Sequence, residues 1–321
     1  MMISRYADCI YWLNRYVERA DNVARFIDVN LNLMMDFAAA KTEQWLPLVL
    51  TTGDLEIFQS RYGEATAENV IRFLAFDGEY PSSIISCLNM ARENARSIRA
   101  IIFSEVWEEL NSYCQMVRDA QKQNQAQLQE SLSEFFNKIR LANYRFIGVM
   151  DNTMTHDEAW LFGTLGRLLE RADKTARILD VKYFYLLPSA EWVGTPLDQV
   201  QWIALLKSAS GYEMYRKFQH RITPSGVVDF LILNPEFPRS LYFCLLQIQQ
   251  FLHQINNTPV GSWSNSAERE LGRLCAELSY ITVEDIIEEG LHEFLDRMQA
   301  AMNKVGDSIT ETFFWQVVEA S

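Results

Sequence analysis

The sequence predicts an all-α fold, a helical bundle made of two tandem homologous units with a pseudo-two-fold relation. Three observations lead there. Apolar residues recur at spacings of three and four over long stretches, turn-forming residues separate those stretches, and three sequence blocks reappear in the same order later in the chain. Apolar residues make up 49% of the 321 positions, enough to bury a sizeable core, and no run of alternating β-branched residues marks a strand.

From Ser4 to about Phe37, residues Leu13, Tyr16, Val17, Ala20, Val23, Ala24, Ile27 and Leu31 fall on one stripe of a long helix. Further helical patterns run roughly 66–76, 82–120, 125–150, 157–187, 197–219, 225–233, 239–256, 264–281 and 282–316. Gly63, Asp77-Gly78, Pro188, Gly194, Pro224, Pro235 and the Thr258–Gly261 turn divide them. Pro81 and Pro238 are expected to open helices, where a missing N–H is harmless. The aromatic stretches Tyr11-Trp12, Tyr183–Tyr185 and Phe313–Trp315 are expected in the core.

The repeat sets the domain organisation. LNRYVERADNVARFIDV (13–29) aligns without gaps to LGRLLERADKTARILDV (165–181). FQSRYGEATAENVIRFL (58–74) matches FQHRITPSGVVDFL (218–231), and FDGEYPSSIISCL (76–88) matches LNPEFPRSLYFCL (233–245). Duplication of a unit follows as the expectation, with copies spanning 1–154 and 155–321 packed as one compact body.

Within the first match all six charged positions recur: Arg15, Glu18, Arg19, Asp21, Arg25 and Asp28 pair with Arg167, Glu170, Arg171, Asp173, Arg177 and Asp180. The apolar positions have drifted by exchanges such as Tyr16 to Leu168, which cores tolerate when volume is kept. Exposed charges contribute only tenths of a kcal/mol and should drift as readily. Here they persist. Five of them lie within a strip about 140° wide on the helix, spaced to pair along it, while Arg19 stacks one turn beyond Arg15. Two guanidiniums on one flank suit a carboxylate or phosphate through forked hydrogen bonds. The competing reading is a buried network between the copies, which would also resist change because breaking a buried pair costs about 3–5 kcal/mol.

Other chemistry is largely excluded. The net charge of −13 repels phosphate backbones and anionic lipid heads, so neither nucleic acid nor membrane is an expected partner. No basic leader precedes a long apolar stretch and no span reaches about 20 apolar residues, so a cytoplasmic location is expected. The five cysteines form no C-x-x-C pair and read as small core hydrophobes. Glu289 and His292 make one E-x-x-H pair where a di-iron bundle needs two, so no metal is expected, and the phosphate-binding and nucleophile motifs that would imply a cofactor are missing. His156-Asp157-Glu158 opens the second long helix, where acids favour the positive end; a general acid–base role near Glu170 is the alternative.

The segments SRYADCIYWLNRYVERADNVAR, ENARSIRAIIFSEVWEELN, DEAWLFGTLGRLLERADKTARILDV and FPRSLYFCL resemble the bacterial alpha-E domain family, a helical group named for its Glu-Arg motif. Glu18-Arg19 and Glu170-Arg171 carry that motif; Ser4, Arg5, Tyr11, Trp12, Asn94, Arg96, Arg99, Glu105, Trp107, Asn111, Trp160, Pro238 and Arg239 look like further family positions. The resemblance implies a context of circularly permuted ATP-grasp proteins, hence ATP-dependent amide-bond formation on a small peptide or amino acid. With no ATP-grasp segment in this chain, the ligase would be a separate protein. On that reading the chain is an accessory or substrate-binding partner. Arg15, Arg19, Asp21, Arg25, Asp28, Arg167, Arg171, Asp173, Arg177 and Asp180 would hold the substrate, and Glu18 and Glu170 would face its amine. The alternatives are an acyl- or amino-transferring enzyme with Glu18 or Glu170 as general base, and a scaffold in which the charges are internal salt bridges.

Overall fold

The structure, a computed structural model, describes residues 2–36, 45–122, 125–185, 195–259 and 261–314, and among them every regular element is helical. The first half holds α1 (Ser4–Asp36), α2 (Leu46–Leu50), α3 (Leu55–Tyr62), α4 (Ala67–Ile71), α5 (Ile84–Ser97), α6 (Ser104–Gln121) and α7 (Gln125–Thr153). The second holds α8 (Glu158–Tyr185), α9 (Pro196–Ser208), α10 (Tyr212–Phe218), α11 (Pro224–Val228), α12 (Leu241–Asn256), α13 (Ser266–Tyr280), α14 (Val283–Glu289) and α15 (Leu291–Ile309). None of the described helices is long and apolar enough to cross a membrane.

Three expected helices are broken. The 82–120 pattern divides at residues 98–103, where no glycine or proline warns of a turn. The 197–219 pattern divides at Ser210, a non-glycine residue at φ +52°, and the last divides at Gly290, at φ +99°. The short α2 and α3 were not legible as helices. Pro81 and Pro238 do not open helices: Ser83 and Ser240 cap α5 and α12, each hydroxyl accepting the N–H three residues on, at 3.1 Å. The prolines sit in the preceding turns, where their carbonyls accept the Cys87 and Cys244 thiols at 3.6 Å. A wide π-helical turn precedes each of these corners, at Arg72–Phe76 and Asp229–Leu233. Pro188, Gly194, Trp315 and the side chains of Tyr183–Tyr185 lie outside the described residues.

α1 and α8 lie at the centre and pack on each other, α1 also touching α5 and α7, α8 also touching α12 and α15. Their contacts climb together from Met2–Glu158 through Tyr11–Gly166 to Arg19–Glu170, so the two helices run parallel. Two glycines permit the approach. A Cβ at Gly166 would stand 2.3 Å from the Tyr11 carbonyl oxygen, and one at Gly163 would stand 2.7 Å from Asn14 Nδ2. Backbones this close place side chains one turn farther along within hydrogen-bonding reach across the seam.

Candidate functional site

At that level each glutamate of the Glu-Arg pairs is held by the other helix's arginine. Arg171 Nε and Nη2 donate to Glu18 Oε1 and Oε2 at 2.8 and 3.0 Å. Arg19 Nε and Nη2 donate to Glu170 Oε1 and Oε2 at 2.6 and 3.0 Å. Both are forked pairs, the strongest geometry available to a guanidinium and a carboxylate. Arg15 Nε adds a donor to Glu170 Oε2 at 3.0 Å, and Arg239 Nη1 adds one to Glu18 Oε1 at 3.2 Å. The Lys174 ammonium stands 3.6 Å from Glu170.

One turn farther, the aspartates pair within their own helices, as the spacing predicts. Arg25 Nε donates to Asp21 Oδ2 at 2.7 Å, and Arg177 Nε reaches both Asp173 oxygens at 3.0 and 2.8 Å. Arg239 Nη2 also donates to Asp21, at 3.1 Å, and Arg25 extends to the Tyr144 hydroxyl at 3.0 Å and to Ser210. Three of the twelve ladder residues stand apart. Asp28 accepts from Ser133 at 2.9 Å, Asp180 meets His292 at 2.5 Å, and Arg167 turns to Asp151 at 3.8 Å with its buried Nε unpartnered.

The burial is uneven within the cluster. The Glu18 and Glu170 side chains have no exposure, whereas those of Arg15, Arg19, Arg171 and Lys174 keep between 12% and 17%. Burial pushes the Glu18 carboxyl up, but Arg171 and Arg239 overcome it and hold it down to about 2. Glu170 is likewise opposed by burial and driven well below the carboxylate range by Arg19, Lys174 and Arg15. A general base needs an accessible lone pair and a pKa near the working pH. Neither glutamate has either. Arg167 is lowered, first by burial and then by the like charge of Arg171.

Around the seam, Glu18, Asp21, Glu170 and Asp173 face Arg15, Arg19, Arg25, Arg167, Arg171, Lys174, Arg177 and Arg239. Counting Asp151, the acid that Arg167 meets at the edge, five carboxylates against eight cations leave a positive centre inside an acidic protein. Such a centre can hold an anion and stabilise it without taking a proton from it.

Sequence reasoning missed several members. Arg239 was legible only as a family-like residue after Pro238, and Lys174 and Asn22 occupy a drifted position of the ladder. Asn22 supports the network through Arg239, which donates to its Oδ1 at 3.1 Å. The alternative for His156 fails on distance: it lies before α8, whose first residue, Glu158, is already twelve positions and about 18 Å along the helix from Glu170 at 1.5 Å per residue. It stacks on Trp160 instead, while Asp157 accepts the Ala159 N–H at 3.0 Å as a helix-start acid should. Glu289 pairs with Arg297 at 2.8 Å. Asp180, His292 and Asp296 place donor atoms within 4.8 Å of one another and could hold a metal, although His292 and Asp180 already join each other. Other family-like positions gather separately, with Trp107 beside the Arg92 and Arg99 guanidiniums at 5.4 and 5.0 Å and Asn111 accepting from Arg92 at 2.7 Å.

Comparison with known proteins places this geometry in a family. The chain is 21% identical over 327 residues to the uncharacterized protein Mb2597 of Mycobacterium bovis, covering 94% of this chain and 36% of the relative. It is 20% identical, with the same coverage, to the uncharacterized protein Rv2567 of Mycobacterium tuberculosis. The chain therefore spans about a third of the length of these relatives, 36% in each. No solved structure matches it. The Alpha-E model, described as a predicted alpha-helical domain with a conserved ER motif, matches residues 2–314. With that match over nearly its whole length, and with two Glu-Arg pairs interlocked at its centre, the chain belongs to the Alpha-E family.

Proposed function

We propose that this chain is an accessory, substrate-binding protein that serves a separate ATP-grasp ligase in peptide or amide-bond synthesis, in the cytoplasm. The observation that supports binding over catalysis is the state of the cluster. Its glutamates are saturated with donors and buried, while its cations outnumber them and keep partial access to solvent. An anionic substrate would meet donors there and no free base. The ligase and the peptide or amino-acid substrate follow from the family resemblance.

The two-fold exchange of partners, Glu18 with Arg171 and Glu170 with Arg19, also supports descent of the two halves from one duplicated unit. Mild crosslinking and co-purification with an ATP-grasp protein encoded beside it test the partnership. Recovery of a complex that raises ligase turnover is expected; no association and no effect on turnover would overturn it.

The same saturation favours a second reading, in which the charges are only an internal clamp. On that reading the double substitution Glu18→Met with Arg171→Leu leaves ligase association and turnover intact. On the binding reading turnover falls although the fold persists.

A further inference from the structure

In a chain with 42 acidic and 29 basic residues, arginines readily find carboxylate partners, as Arg61, Arg145, Arg177 and Arg297 do. Two arginines where α5 packs on α6 are held differently. Arg92 Nε donates to the Asn111 side-chain oxygen at 2.7 Å, and Arg118 Nε and Nη2 donate to that of Asn89 at 3.2 and 2.6 Å. Each pair joins α5 to α6. A neutral amide oxygen fixes the direction of a guanidinium without cancelling its charge. Trp107, its ring centre 5.4 Å from the Arg92 guanidinium carbon, packs against that group as well.

Both guanidiniums line one open groove of about 580 Å³, together with Asn111, Ser112, Gln115 and Met116. No carboxylate among the described residues lines it. Glu93 is the one acid among them within ion-pair reach of either arginine, 3.7 Å from Arg92 Nη1, and Arg96 already holds it at 2.8 Å. Both Nη atoms of Arg92 and Nη1 of Arg118 make no hydrogen bond among the described residues. The two groups stand near each other: both act on the buried Cys114 thiol, opposing the upward push that burial gives it. The groove therefore carries two fixed positive charges, open donors and no counterion of its own.

We propose that this groove binds one dianionic oxyanion, the phosphate of a small soluble monoester, between Arg92 and Arg118. The site stands on α5 and α6 alone and does not depend on how the central cluster is read. A phosphate monoester carries about −1.5 to −2 charge at neutral pH and three strong acceptor oxygens, which match two guanidiniums. A monocarboxylate or a phosphate diester brings a single charge and leaves one arginine without a counterion. The exposed Ser112 hydroxyl lines the same groove and adds a donor. Because the groove is open, the ester substituent extends to solvent and recognition falls on the phosphate. A nucleic-acid backbone would bring many further phosphates against a protein of net charge −13, which opposes it.

The test is calorimetric titration of the full chain at low salt with glycerol 3-phosphate, dimethyl phosphate, acetate and a single-stranded oligonucleotide. Glycerol 3-phosphate is expected to bind at least about tenfold more tightly than dimethyl phosphate or acetate, a free-energy difference of about 1.4 kcal/mol. Arg118→Gln should weaken it at least about tenfold. Ser112→Glu, at an exposed position, should do the same by placing a carboxylate in the groove with both arginines intact. Arg273→Gln makes the same charge change as Arg118→Gln at an exposed site on α13, outside the groove, and should leave affinity unchanged. No binding of glycerol 3-phosphate, equal binding of the monoanions, tighter binding of the oligonucleotide, or an equal loss in Arg273→Gln would overturn the proposal. Affinity unchanged in Ser112→Glu would also overturn it, even if Arg118→Gln fails to fold.

Discussion

At the scale of single residues, Glu18 and Glu170 couple buried charge to stability. Removing one charge from such a pair strands its partners, so Glu170→Gln is expected to cost about 3–5 kcal/mol in urea unfolding. The sign of the pH dependence follows from the lowered carboxyl. Glu18 falls from a usual 4.5 to about 2 in the folded chain, so its stabilisation is complete above pH 4.5 and is lost as pH falls through 2. That shift corresponds to about 3 kcal/mol, read from unfolding midpoints across that window. The sequence made the ladder visible because its charges persisted where apolar residues drifted. The pairs Asp21–Arg25 and Asp173–Arg177 were legible too, since a spacing of four suffices. The crossed pairs were not, because nothing in the spacing of one helix reveals how near a second helix comes.

At the scale of elements, that nearness depends on α8's two glycines. Gly166→Ala would drive a Cβ against the Tyr11 carbonyl and separate α1 from α8, with an expected loss of about 1–3 kcal/mol. Gly148→Ala on α7 is the matched control. Its Cβ meets nothing within 4 Å, so thermal melting should show no loss and a gain of up to about 1 kcal/mol. Helix existence was readable from apolar periodicity, and helix ends were not. The break at residues 98–103 lacks glycine and proline, and Ser210 takes a left-handed conformation that its identity does not announce. The caps at Ser83 and Ser240 were hidden by the prolines two positions earlier, a more conspicuous but misleading signal.

At the scale of the whole molecule, the all-α class was legible from composition and periodicity, and the parallel pairing of α1 and α8 had to be seen. The five cysteines read correctly as core. All are free and buried, and burial pushes the Cys87, Cys244 and Cys275 thiols up to about 12. A thiol held protonated and out of solvent is inert, so the native protein should react slowly with an aromatic disulfide reagent and the unfolded chain should react at all five positions. The block matches also concealed two positions, Ser82 against Arg239 and Asn22 against Lys174, that distinguish the two sides of the centre. The account turns on the glutamates being locked anions inside that centre. Carbon-13 NMR titration of the glutamate side-chain carboxyls measures this directly, with the Glu18→Gln and Glu170→Gln proteins assigning the two signals. Both should remain ionised from neutral pH down to the acid limit of folding, Glu18 changing only near pH 2. A carboxyl of either residue titrating between about pH 5 and 8 would contradict the account, because it would place a working base where a locked anion is required.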